Sequence, residues 1–266
     1  MKMIENSRFL TTISNLHPPN NAINILKDIR NIPFFVYTLQ KTGTSSLSLS
    51  LQKMVNNQDV YEHVVHNHTE DCWKRIFNIG FNFDLMSLIK VQRRKPIVFQ
   101  LSRDPIDRLI SFYFHVIRHV KKESTYADLI AFLEKNKNRV NYEYYQEKFE
   151  YKLTDLNYNH SDKCCVVEKE NCILFFMKME DFNSRLKQNL ITHLSKYGIN
   201  FQRFHLFVTN QTDNTYHKNT LVEIATRGIP TELSQAIFSN NLDEINFFFS
   251  HEEVQTLVKK YRVQIA

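Results

Sequence analysis

Only four of the 266 residues are glycine, so a glycine inside a motif here is worth noticing. No apolar stretch approaches the ~20 residues that a helical membrane span needs. The start, Met1-Lys2-Met3-Ile4-Glu5-Asn6, has no signal-peptide hydrophobic region, and the expectation is a cytoplasmic protein. Four cysteines are present and none is in a CxxC spacing. Cys164 and Cys165 are adjacent and do not readily pair, so with Cys72 and Cys172 they read as reduced core thiols, with no metal expected. Repeats, low-complexity tracts and linkers are lacking, which predicts one domain over 1–266. Lysine and arginine are spread out rather than run together, so the net charge of +6 fits a small anionic ligand at least as well as nucleic acid. A Walker A loop is absent too: GxxxxGK[ST] needs a lysine after its last glycine, and here Lys41 precedes Gly43.

The residues that are present organise around Gln40-Lys41-Thr42-Gly43-Thr44-Ser45-Ser46-Leu47. Phe34-Phe35-Val36-Tyr37 before it reads as a buried strand, and Leu47, Leu51, Met54 and Val55 after it form a helical stripe. Strand, glycine turn and helix direct main-chain N–H groups and a helix N-terminus at an anion. Lys41 adds a positive charge, and Thr42, Thr44, Ser45 and Ser46 add hydroxyl donors. The loop is therefore expected to hold a phosphate or a similar group.

Residues 59–68 have the β-branched content of a second strand. His66 and His68 would share one face at its C-terminal end, where open α/β sheets hold ligands. Surface histidines in a polar turn are the plain alternative, and a zinc pair is not expected. Pro96 to Leu101 reads as a third apolar strand, followed by Ser102-Arg103-Asp104-Pro105 and a helix with Ile106, Leu109, Ile110, Tyr113, Ile117 and Val120 inward. Arg103 keeps its charge and suits an anion. Ser111 can reach the same ligand only if that ligand lies along the helix, and Asp107 and Arg108 read as helix-surface charges.

Further on, Thr125-x-x-Asp128 and Ser250-x-x-Glu253 predict helix caps. The tyrosine-rich residues 136–162 read as a helix with one packed aromatic face, with an acceptor cleft as the alternative. Cys164–Val167 and Cys172–Met177 read as a hairpin or bent strand, Asp181 as a helix cap, and Phe247-Phe248-Phe249 as a core plug.

Lys41-Thr-Gly-Thr-Ser-Ser46 and Arg103-Asp-Pro-Ile-Asp-Arg-Leu-Ile-Ser111 together resemble sulfotransferases that use 3′-phosphoadenosine 5′-phosphosulfate (PAPS). The second motif looks most like the carbohydrate branch, particularly uronyl 2-O-sulfotransferases. Lys178-Met-Glu-Asp-Phe182 and Phe249-Ser-His-Glu-Glu-Val254 also look like a bacterial sulfotransferase-like family of capsular polysaccharide synthesis proteins. The resemblance implies an α/β, three-layer, P-loop-like sulfotransferase fold with a mainly parallel sheet. Its cofactor core would be 33–120, with 121–266 forming the acceptor side and a helical C-terminal part. It implies Lys41 and Thr42, Gly43, Thr44, Ser45 and Ser46 at the 5′-phosphosulfate, and Arg103 and Ser111 at the 3′-phosphate. His68, with His66 second, would be the catalytic base. The donor would leave as 3′-phosphoadenosine 5′-phosphate (PAP), and the acceptor would be a glycan or a small hydroxylated metabolite. The adenine-side glycine-rich loop of cytosolic small-molecule sulfotransferases is not evident. Two other readings stay open: a P-loop-like kinase, and a catalytically silent nucleotide-binding subunit of a polysaccharide assembly system.

Overall fold

Apolar runs without polar alternation are what strands need when both sheet faces are covered. The computed structural model describes residues 34–38, 42–43, 46–48, 50–51, 64–67, 85–120, 123–138, 142–182, 184–198 and 218–264. In these, β1 (Phe34–Tyr37), β2 (Val64–Asn67), β3 (Ile97–Ser102), β4 (Cys164–Glu168) and β5 (Ile173–Lys178) form one open sheet in the order β2-β1-β3-β5-β4. The pairs β1–β2, β1–β3 and β3–β5 are parallel, and β4 joins β5 as an antiparallel hairpin at one edge. The chain is therefore α/β, and its sheet is mixed but mainly parallel.

Alternate side chains divide between two cores, as the two-residue period of a strand requires. Phe35, Tyr37, Val98, Leu174 and Phe176 point into the larger core. Over it lie α1 (Leu85–Lys90), α2 (Pro105–Val120), α3 (Tyr126–Asn136), α4 (Glu143–Phe149), α7 (Thr231–Ser239), α8 (Leu242–Phe248) and α9 (His251–Tyr261). Phe34, Val36, Phe99, Leu101, Phe175 and Met177 point the other way, onto Leu47 and Leu51 of the helical residues after β1 and onto Leu190 and Leu194 of α5 (Ser184–Lys196). Helices thus cover both faces. One further helix, α6 (Lys218–Arg227), packs on α3. No helix among the described residues is long and apolar enough to cross a membrane.

Both predicted caps are present. Thr125 Oγ1 accepts the Asp128 N–H at 3.1 Å, and Ser250 and Glu253 form a reciprocal capping box at the start of α9. Each such cap is worth about 1 kcal/mol. Phe247, Phe248 and Phe249 are buried as expected, with Phe248 against Tyr142, Tyr158 and Phe176. Tyr142, Tyr145 and Tyr151 belong to the same core, so aromatic side chains here do pack, but not on one helix: α4 covers only Glu143–Phe149, and Leu153–Asp155 is a 3₁₀ turn. Two local readings are corrected. Asp181 does not cap α5, which starts at Ser184; it closes a 3₁₀ turn, Met179–Asp181, and pairs with Lys163 at 3.2 Å. Arg108 is not a surface charge, because its guanidinium is buried against Glu244.

Candidate functional site

Parallel strands end on the same side, so β1, β2, β3 and β5 have their C-terminal ends at one edge of the sheet, and the described turns after β1, β3 and β5 start there. Thr38, just past β1, fixes that edge: its hydroxyl donates to the Leu101 carbonyl at 2.6 Å and accepts the Leu101 N–H at 2.8 Å. Beyond it, Thr42 is buried and Gly43 has φ +83°, a left-handed conformation natural to glycine. The Gly43 carbonyl accepts the Leu47 N–H at 3.0 Å, so the helix starts directly from this turn, with Ser46 in its first turn. The expected strand–turn–helix unit is therefore formed at this position. Lys41, Thr44 and Ser45 lie outside the described residues.

His66 is in β2, aligned with Val36 of β1, near the C-terminal end of both strands. His68 lies outside the described residues. On the other side of β1, Arg103 and Ser111 are both half-buried, Arg103 at the β3–α2 junction and Ser111 within α2. A helix rises 1.5 Å per residue, so they are separated by roughly 12 Å along α2, and eight steps of 100° leave them about 80° apart around it. One phosphate can touch both only by lying along the flank of α2.

The junction itself is occupied by carboxylates. Asp104 caps α2, its Oδ1 accepting the N–H groups of Ile106 at 3.0 Å and Asp107 at 3.3 Å. Its Oδ2 accepts from Tyr261 Oη at 2.6 Å and Lys260 Nζ at 3.0 Å, which ties α9 to the start of α2. Burial, reinforced by the neighbouring Asp107, holds the Asp104 carboxyl above its usual range despite Lys260 and Tyr261. Burial lowers the proton affinity of Lys260, but Asp104 and Asp107 outweigh it and hold the ammonium above its usual range.

The turn after β5 completes the edge. Met179 Cγ and Sδ lie 3.5 Å from where a Cβ on Gly43 would be, so this turn touches the β1 turn. Its next residue, Glu180, accepts the Asp104 N–H at 2.7 Å and so touches the β3 turn as well. Burial raises the Glu180 carboxyl above its usual range, while the Asp104 N–H and the nearby Arg103 pull the other way. Sequence reasoning singled out the segment containing Glu180 but gave that carboxylate no part; its partner is 76 residues away, and no local spacing announces it.

Below the edge, Arg108 Nη1 and Nη2 donate to the two Glu244 oxygens at 2.7 and 3.1 Å. Ser102 Oγ donates to the same carboxylate at 2.6 Å. Lys178, fully buried at the end of β5, donates to Glu253 at 2.6 Å. Each of these charges faces an opposite one, although the Arg108 Nε is buried without an acceptor, and they belong to the scaffold. Among the described residues no three His, Cys, Asp or Glu side chains are grouped to hold a metal ion. A cavity of about 840 Å³ opens elsewhere, between α3, α6 and α7, and none of the predicted site residues lines it. No known family, curated protein or solved structure matches the chain.

Proposed function

We propose that the chain is a PAPS-dependent O-sulfotransferase with a P-loop-like sulfotransferase fold. One observation supports this most: β1 and β3 are parallel neighbours, so the Thr42-Gly43 turn and the Ser102-Arg103 turn leave the same sheet edge. The donor carries a phosphosulfate at its 5′ end and a phosphate at its 3′ end, so it needs two anion-holding turns side by side. The loop through Thr42, Gly43, Thr44, Ser45 and Ser46 takes the 5′ end, and Arg103 with Ser111 takes the 3′-phosphate.

In the proposed reaction the acceptor hydroxyl oxygen attacks sulfur as the bond from sulfur to the bridging phosphate oxygen breaks. The acceptor proton passes to His68, or to His66 in the same role, and PAP leaves with the bridging electrons. Positioned bases contribute typically ~10²–10⁴-fold, and an imidazole near its ordinary pKa of ~6.5 is largely neutral at pH 7. Lys41 stabilises the charge that develops on the bridging oxygen, a contribution of roughly 3 kcal/mol by analogy with oxyanion donors. The acceptor class is a glycan or a small hydroxylated metabolite.

The test is incubation with PAPS carrying ³⁵S, in the presence of a mixed acceptor library, followed by mass identification of labelled products. Transfer that Lys41→Ala abolishes is the expected result. ATP- and Mg²⁺-dependent phosphorylation instead would establish a kinase, and nucleotide binding with no labelled acceptor would establish a silent subunit.

A further inference from the structure

The cavity between α3, α6 and α7 is separate from the sheet edge, since α2 alone covers roughly 24 Å between that edge and the turn into α3. Its α3 wall is one helical face: Ala127, Ile130, Ala131 and Glu134 follow the i, i+3, i+4, i+7 spacing. Ala127 and Ala131 are small and exposed, so the helix leaves a hollow there. Pro230 and Leu233 add apolar surface from the start of α7. The α6 side is fixed by the chain itself. Tyr126 Oη donates to the Gly228 carbonyl at 2.7 Å, and the Arg227 guanidinium lies 4.4 Å from the Tyr126 ring centroid. A preformed and largely apolar lining around about 840 Å³ has the size and character of a small-molecule site.

The charges on this lining are the reverse of the chain's. Glu134, Glu223 and Glu232 face one cation, Arg227, among the described lining residues, so the cavity is net negative in a chain of net charge +6. Arg227 is engaged twice, by the Tyr126 ring and by Glu223 at 3.2 Å, and has little to offer an anion. Glu134 pairs with Lys137. Glu232, exposed in the first turn of α7, has no ion-pair partner among the described residues.

We propose that this cavity is a binding site for a small organic monocation, whose apolar body lies over Ala127, Ile130, Ala131 and Leu233 and whose ammonium pairs with Glu232. A neutral ligand of the same shape buries the same apolar surface and lacks the charge pair. An anion meets a net negative lining. Because Glu232 is exposed, the pair should be worth about fivefold in affinity, the upper end for an exposed ion pair. The inference does not depend on the nucleotide reading, and the two sites share no residue.

The test is NMR titration of the whole chain at pH 7. Tryptamine, phenethylamine and cyclohexylamine are compared with tryptophol, phenylethanol and cyclohexanol, in which a hydroxyl replaces the ammonium. Wild type should bind at least one amine about fivefold more tightly than its alcohol. Glu232→Gln should bring that amine down to the level of the alcohol, and Glu232→Asp should keep part of the advantage. Ala131→Phe puts a ring into the hollow from an exposed position and should abolish binding of both. Absence of amine binding, equal binding of every amine and its alcohol, an advantage that survives Glu232→Gln, or binding that Ala131→Phe leaves unchanged would each overturn the inference.

Discussion

Arg108 offers the sharpest test of how this fold is held together, because nothing but Glu244 and its neighbours makes a buried guanidinium tolerable at this position. Its exposure is 1% and that of Glu244 is 2%, so solvent screens neither charge. Two parallel bonds of 2.7 and 3.1 Å join the groups. At an effective dielectric constant of about 20, unit charges roughly 3 Å apart attract by about 5–6 kcal/mol, which approximately offsets the cost of removing both from water. Arg108→Ala should therefore cost far more than a surface arginine, because it leaves the Glu244 carboxylate buried with Ser102 Oγ as its remaining close donor. We expect about 3–5 kcal/mol for Arg108→Ala, and a similar loss for Glu244→Ala. Urea unfolding with an unchanged m-value is the assay, backed by a Tm lowered by about 2–4 °C per kcal/mol. The apolar pair Arg108→Met/Glu244→Leu should recover most of the loss, well short of the sum of the single changes. Single losses below about 1 kcal/mol, or simple additivity in the pair, would refute the account of this site as a mutually dependent buried pair.

Other outcomes follow from the same structure. Gly43→Ala introduces a Cβ that meets Met179 and Phe182 only at ordinary contact distance, so its cost comes from φ +83° and should be about 1–2 kcal/mol; a smaller loss, seen by urea titration, would show that the turn relaxes. Burial pushes the Cys164 thiol up to about 12 and the Cys165 and Cys172 thiols up to about 11. All three should resist iodoacetamide at pH 8 until urea is added, and mass mapping of native-state alkylation at any of them would contradict this. Burial raises the Glu253 carboxyl, but hydrogen bonds from Lys178 and the Ser250 N–H outweigh it and hold the group below its usual range. A lowered folded-state value means stability that is present above the ordinary carboxylate range and lost as pH falls through the folded value. Glu253→Gln should lower Tm at pH 7, with the gap to wild type closing towards pH 3; a gap independent of pH would remove the linkage.

Much of the fold could be read locally. Phe34–Tyr37 and Ile173–Met177 are apolar throughout, and Ile97–Leu101 is apolar but for Gln100, because both faces are covered, and that signal is contained in each short run. The caps at Thr125 and Ser250 are three-residue patterns, and Gly43 lies in a turn bounded by a strand and a helix, so these too were legible. What could not be read depends on partners far away in the chain. Arg108 has the look of a helix-surface charge until α8 brings in Glu244, 136 residues later. Asp181 looks like a helix cap until Lys163 and Lys178 claim its carboxylate. Glu180 is similar: its carboxylate takes on meaning only when the sheet order puts β5 beside β3, so that Asp104 is within reach. At the candidate site, strand order brings the Thr42-Gly43 and Arg103 turns to a common edge, whereas their spacing in sequence only suggests it.

The most direct measurement is a crystal structure of the chain with PAP bound. The account predicts the 5′-phosphate on the turn from Thr42 to Ser46 and the 3′-phosphate on Arg103 along the flank of α2. A nucleotide lodged away from both turns, or one leaving Arg103 without a phosphate, would contradict it.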